Sequence, residues 1–300
     1  MKKARFGLIR AGFFLTFALR IRLRIQPPKT IMIMKTRIFG TIIILTSLFW
    51  TVSCVQTSGE SEFKEFELTD SEGNTRKGGI YLPQGMDSKS TYPVIFMEDG
   101  LVFKECEFKH MIDSLIDYGI INPVIVACSF ENKMTIPGYT ISYRNAEFVE
   151  TIAKTDSKLA NLFDVHYNYF KDIFAPYINK NYPVSQEKTD RIFFGTSNSA
   201  DFGITLGMRD GDMFSEFWCY SPVYSDVSEY ERLDDPVDFR ICWGAKEEVG
   251  MFDYFPSLLK DIRKRGGNVE SWVFNGGHDR DWWKYWFSEE LKRKFPYKAE

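Results

Sequence analysis

The sequence predicts an α/β domain: a mostly parallel central sheet with an N-terminal antiparallel hairpin and helices on both faces. Three observations carry this reading. Short apolar runs alternate with helix-period segments from about residue 92 to the C-terminus, the pattern of strands joined by crossover helices. Two alternating strands joined by a turn cluster precede that series. One strand also runs through a small-residue turn straight into a helix, at Phe194-Gly195-Thr196-Ser197-Asn198-Ser199-Ala200.

The elements follow in order. Phe63–Leu68 alternates and stops at Thr69-Asp70-Ser71-Glu72-Gly73-Asn74, and Arg76–Leu82 resumes as its hairpin partner. Tyr92–Met97 is a short buried strand running into Glu98-Asp99-Gly100. Phe108–Tyr118 has helical spacing and ends at Gly119. Asn122–Cys128 is a strand. Residues 129–165 read as a long irregular segment, of a length that is uncommon unless functional. His166–Asn179 reads as helix, Arg191–Phe194 as strand and Ala200–Met208 as helix. Glu216–Tyr220 and Asp238–Trp243 are strands, Phe255–Arg265 is a helix closed by Gly266-Gly267, Val269–Phe274 is a strand and Trp282–Lys294 the last helix.

Composition narrows the function. Among 300 residues, 44% are apolar and 16% aromatic, enough for a full core. Residues 1–59 contain no Asp or Glu and ten of the 38 Lys and Arg. From Cys54 onward 28 basic residues face 41 acidic ones, a balance of −13 that argues against a nucleic-acid partner. The N-terminus reads as targeting. Met34-Lys35-Thr36-Arg37 is a basic start, Ile38–Val52 an apolar run of signal-peptide length, and Thr51-Val52-Ser53-Cys54 resembles a relaxed lipobox. The expected organisation is a targeting segment over 1–53, with Met34 as the expected true start. A lipidated Cys54 and polar tether follow over 54–65, then one domain over 66–300. This implies a bacterial cell-envelope protein held to a membrane through Cys54. Cys106, Cys128, Cys219 and Cys242 lack metal spacing, so no metal is expected; they read as buried thiols, with oxidation of one pair as the alternative in an exported protein.

The junction at Ser197 is where chemistry is expected. A sharp strand-to-helix turn lifts a serine out of the sheet, and the helix start offers N–H groups to a developing oxyanion. Gly195 supplies one small neighbour, and Ser199 stands where a second glycine is usual. Of three histidines, His278 lies on Asn275-Gly276-Gly277-His278-Asp279, between the last strand and the last helix, whereas His110 and His166 fall in helices and read as surface or helix-face residues. A carboxylate between Ser197 and His278 should orient the imidazole. Glu247 is the first choice and Glu248 the alternative. The N–H of Asn198 and those of the Gly100-Leu101 turn should form the oxyanion hole, with Gly100 allowing close approach.

From about Phe66 to Phe295 the chain resembles the esterase family of α/β-hydrolases that includes esterase D and the enterochelin esterases. Tyr81-Leu82-Pro83, Phe96-Met97-Glu98-Asp99-Gly100, Arg144-Asn145-Ala146-Glu147-Phe148, Ala175-Pro176-Tyr177-Ile178 with Tyr182, and Gly276-Gly277-His278-Asp279 with Trp282 occur in the family's order. The resemblance implies the α/β-hydrolase fold and a Ser197, Glu247, His278 triad. Gly244–Glu247 matches the family's acid-bearing element, which favours Glu247 over Glu248. Ser199 and Ala200 depart from its usual glycines.

The expected function is a cofactor-free serine esterase working through an acyl-enzyme on a small-molecule or glycan ester, with carbohydrate esters and siderophores as candidate substrates. Residues 129–165, with Tyr139, Tyr143 and Phe148, would roof the pocket, and one of Trp282, Trp283 and Trp286 would wall it. The competing readings are a non-catalytic binding lipoprotein on the same fold and an acyltransferase.

Overall fold

In a computed structural model of the chain, residues 60–298 are described, apart from 88 and 249–250. Eight strands form one sheet: β1 (Glu62–Thr69), β2 (Thr75–Leu82), β3 (Val94–Met97), β4 (Ile125–Ser129), β5 (Arg191–Thr196), β6 (Glu216–Tyr220), β7 (Asp238–Gly244) and β8 (Asn268–Phe274). Their order is β1-β2-β4-β3-β5-β6-β7-β8. The β1–β2 and β2–β4 pairings are antiparallel, and every pairing from β4 to β8 is parallel. This is the sheet of an α/β-hydrolase fold.

The hairpin begins at Glu62, one residue before the strand expected from Phe63, so β1 overlaps the end of the tether expected over 54–65. The reason is local: β1 is an edge strand, and Phe63 needs only one buried face, which it finds stacked on Phe103.

Strands β3, β4, β5 and β6 are buried along their whole length, as sheets covered on both faces require. Alternate residues of one strand feed two separate cores. Ile192 and Phe194 point to the layer holding Phe103, Phe108, Trp283, Phe287 and Leu291, whereas Phe193 points to the layer of Phe170, Phe174, Phe202, Leu258 and Ile262. The first layer is covered by α1 (Gly100–Glu105), α2 (Phe108–Asp117) and, at the end of the chain, α9 (Arg280–Lys294).

Between α2 and α9 in sequence lie α3 (Tyr143–Phe148), α4 (Glu150–Ala153), α5 (Ser157–Asn168), α6 (Ala175–Asn181), α7 (Asn198–Asp210) and α8 (Met251–Lys264). The segment from α5 to α6 is continuous through a π-helical turn at Tyr169–Phe174. Phe170 and Phe174 of that turn, with Phe96, Phe193, Phe202, Phe214 and Phe217, form edge-on and tilted aromatic contacts. Each such side chain contributes about 2–3 kcal/mol by burial, with about 1 kcal/mol more for a well-placed ring pair.

Two further expectations are corrected. The stretch 129–165 is not irregular: it holds α3, α4 and most of α5. His166 is not a surface residue. It is 1% exposed, and its Nε2 meets a carboxyl oxygen of the wholly buried Glu98 at 3.1 Å. Burial raises the Glu98 carboxyl well above its usual range and, against the pull of the Glu147 carboxylate, brings the imidazole down to about 4. Burial thus favours the neutral form of each partner.

Candidate active site

Every site element hangs on the C-terminal edge of the parallel strands. At the end of β5 the chain turns through Ser197 (φ 56°, ψ −126°) directly into α7. A positive φ on a residue with a Cβ is strained and persists only where its surroundings enforce it. Two features enforce it here. The Ser197 N–H donates to the Tyr220 carbonyl at 2.9 Å, tying the turn to β6. Position 195 must also lack a side chain, because a Cβ there would stand 2.2 Å from the Ser199 carbonyl oxygen.

The loops after β7 and β8 come together in the same way. A Cβ on Gly244 would lie 2.2 Å from the Gly276 carbonyl oxygen, and the Lys246 N–H donates to that oxygen at 2.8 Å. This contact aligns His278 with Glu247. His278 Nε2 lies 2.9 Å from Ser197 Oγ, and His278 Nδ1 lies 3.2 Å from Glu247 Oε2. With Nδ1–H facing a carboxylate, Nε2 is left as the acceptor for the serine hydroxyl.

Glu247 Oε1 accepts from Ser221 Oγ at 2.6 Å and from the Gly244 N–H at 2.8 Å. Burial alone would raise this carboxyl. The hydrogen bonds from His278, Gly244 and Ser221 outweigh it and hold the group below its usual range. Glu248 is exposed and takes no part. Ser221 in turn accepts from Trp283 Nε1 at 2.9 Å, and the Trp283 ring meets the His278 ring edge-on at 4.7 Å. Ser221 and Trp283 thus brace the acid and the imidazole. Sequence reasoning did not single out Ser221, which sits at an unremarked strand end.

The serine opens into a cleft of about 370 Å³. Its lining is polar and charged (Asp99, Glu131, Lys133, Ser142, Arg144, Arg280), with Val102 and Trp283 as its larger apolar members. The expected aromatic roof is not there. Tyr139 and Tyr143 pack with Ile136, Ala146 and Leu159 inside their own segment, and Phe148 is buried against His166 and Phe202. That segment contributes Ser142 and Arg144 to the cleft instead. Of the three candidate tryptophans only Trp283 reaches it; Trp282 stacks on Phe274, and Trp286 packs on Trp272.

The expected oxyanion donors differ in their present partners. Asn198 is the first residue of α7, so its N–H has no helical partner four residues back. The Leu101 N–H, by contrast, already donates to Glu131 Oε2 at 3.2 Å. A buried carboxylate needs donors, and the first N–H groups of α1 are the ones within reach. Gly100 is required by packing, since a Cβ there would strike the Phe130 ring at 2.0 Å.

Ser199, at the position where a glycine was expected, is completely buried. Its Oγ takes the Thr196 N–H at 2.8 Å and lies 2.8 Å from Asp99 Oδ2 and 2.7 Å from the Thr196 carbonyl. Asp99 itself adopts a left-handed φ of 63° and is clamped by both arms of Arg144. The four described cysteines are free, three of them buried. Cys54 lies outside the described residues.

Residues 69–294 match a family profile described as "Putative esterase". The chain belongs to that esterase family. Solved structures with the same fold include a ferulic acid esterase, with TM-score 0.59, 18% identity, and 79% of this chain and 98% of that one covered. A feruloyl esterase module from Clostridium thermocellum, complexed with sinapinate, aligns with TM-score 0.55, 15% identity, and 79% and 88% covered. The enterobactin hydrolase IroE, in complex with DFP, aligns with TM-score 0.55, 14% identity, and 79% and 96% covered. No curated protein matches the sequence. As a serine esterase, the chain needs an activated hydroxyl at a strand–helix turn. Ser197 is the serine of this cleft that lies in hydrogen-bond contact with a histidine.

Proposed function

We propose that this esterase works through Ser197 as nucleophile, His278 as general base and acid, and Glu247 as the group that orients the imidazole. The supporting observation is the unbroken line from Ser197 Oγ through both ring nitrogens of His278 to Glu247. In acylation, Ser197 Oγ bonds to the ester carbonyl carbon as its proton passes to His278 Nε2. The carbonyl oxygen becomes an oxyanion facing the Asn198 N–H. Collapse breaks the bond to the alcohol oxygen, which leaves with the proton from His278. Water then gives His278 a proton and adds to the acyl carbon. Ser197 departs, recovering that proton, and the acid is released.

The charged cleft favours esters bearing polar groups near the scissile bond. Two similar folds are a feruloyl esterase holding sinapinate and an enterobactin hydrolase. Carbohydrate esters and siderophore esters are therefore the substrate classes of choice. The Met34–Cys54 pattern further supports export and lipid anchoring at Cys54 in a bacterial envelope; loss of fatty-acid labelling in Cys54→Ser would test that part.

The decisive test of the catalytic part is hydrolysis of short p-nitrophenyl esters beside fluorophosphonate labelling. Ser197→Ala should abolish labelling and lower kcat by about 10³-fold or more. Turnover retained by that variant would place the nucleophile elsewhere.

A further inference from the structure

The Leu101 N–H occupies the place from which this fold draws its second oxyanion donor, the turn after β3, yet it is taken. Glu131, in the loop after β4, holds it at 3.2 Å with a side chain that is wholly buried and lines the same cleft as Ser197 and His278. The other carboxylate oxygen of Glu131 lies 3.1 Å from Nζ of Lys133, a half-exposed lysine that also reaches Glu105. Asp99 stands close enough on the neighbouring turn to push the Glu131 carboxyl up, after burial itself, and Arg144 faces both acids.

We propose that Glu131 is a positioning residue that masks the second oxyanion donor: its carboxylate holds the Leu101 N–H in the free esterase and gives it up only as negative charge develops on the substrate's carbonyl oxygen. This rests on Ser197 being the nucleophile. The physical reason is competition. One N–H cannot serve a carboxylate and an oxyanion at full strength together, and two negative charges converging on one donor repel. Lys133 supplies the exit, because a cation on a flexible, half-exposed stem can draw the carboxylate outward. The mask therefore acts on the transition state, where negative charge develops, and little on the neutral ground state.

The test uses the full chain in detergent, with p-nitrophenyl acetate and a fluorophosphonate. One oxyanion donor is worth about 10²–10³ in kcat. Unmasking it in Glu131→Ala should return part of that, raising kcat and the labelling rate about tenfold while KM stays within about twofold. Glu131→Gln removes the charge but leaves an oxygen that can still accept from Leu101, so it should show a smaller rise in the same direction. It decides the matter if the alanine variant does not fold. Labelling of the wild type at an unchanged or higher rate than both folded variants would overturn the mask and leave Ser197 standing as nucleophile. No labelling of the wild type or of either variant would overturn both.

Discussion

Glu247 and Glu248 are neighbours of identical chemistry, and the backbone alone separates them. Glu247 turns inward to the Gly244 N–H, Ser221 and His278, whereas Glu248 faces solvent. Glu247→Gln should therefore lower kcat by about 10³–10⁴-fold by spoiling the imidazole tautomer, and Glu248→Gln should leave it within about twofold; equal losses in steady-state assays would contradict the assignment. Because hydrogen bonds hold the Glu247 carboxyl below its usual range, its support of His278 persists to lower pH than a free glutamate's would. At this scale the residues that announce themselves in sequence do so by context. Ser197 lies between a strand and a helix, and His278 lies on a glycine-rich strand end. Glu131, Ser221 and Asp99 were not legible in their roles, because a single acid or hydroxyl after a strand carries no pattern until the fold brings its partner up. Asp99 and Ser199, for instance, are 100 residues apart.

Short elements hid where long ones showed. The apolar period of α2 and α8 is plain, but α1 begins at a glycine, which in sequence reads as a helix stop, behind an Asp99 in left-handed conformation. The six residues of α3 carry too few turns for a period to appear. The elbow was legible despite its departure at Ser199, since strand, small residues and helix still follow one another. The structure explains why the departure is tolerated: the extra hydroxyl is absorbed by Thr196 and Asp99. Removing it in Ser199→Ala leaves the Thr196 N–H without its side-chain acceptor, and leaves Asp99 to Arg144 alone. We expect a loss of about 1–2 kcal/mol in urea denaturation, with a lower kcat as the elbow loosens. Unaltered stability would mean that the hydroxyl is a passenger. The substitution Gly195→Ala should be worse, yielding no stable protein in thermal melts, because the clash there is with backbone that cannot move aside.

For the molecule as a whole, strand and helix alternation was readable from β3 onward. The exchange of β3 and β4 in the sheet order was not, because both strands are continuous apolar runs with nothing in either to fix its neighbour. The buried Glu98–His166 pair is likewise a product of the assembled fold, joining β3 to α5. Its effect on stability has a definite sign. With the folded imidazole brought down to about 4 from an ordinary 6.5, the stabilising contribution of His166 is complete above about pH 6.5. It is lost as pH falls toward 4, because the unfolded chain takes up the proton first. That amounts to about 3 kcal/mol over the window. Glu98, raised by burial, contributes with the opposite dependence, so the comparison must be between wild type and His166→Gln. Urea denaturation at pH 7 and pH 4 should show the wild type losing more than the variant by about that amount; parallel losses would mean that the imidazole is charged in the fold.

Strand β1 enters the sheet with Glu62 opposite Leu82, beside the start of β4, whereas Ser197, Glu247 and His278 all follow the far ends of their strands. Entrance and cleft are thus at opposite edges of one sheet. Seven residues separate Cys54 from Glu62 in the sequence. An acyl chain on Cys54, as proposed, would join the domain at the end of the sheet away from the cleft. Attachment there would leave the cleft open to dissolved esters, so turnover of a dissolved p-nitrophenyl ester should be the same for the anchored and the released domain.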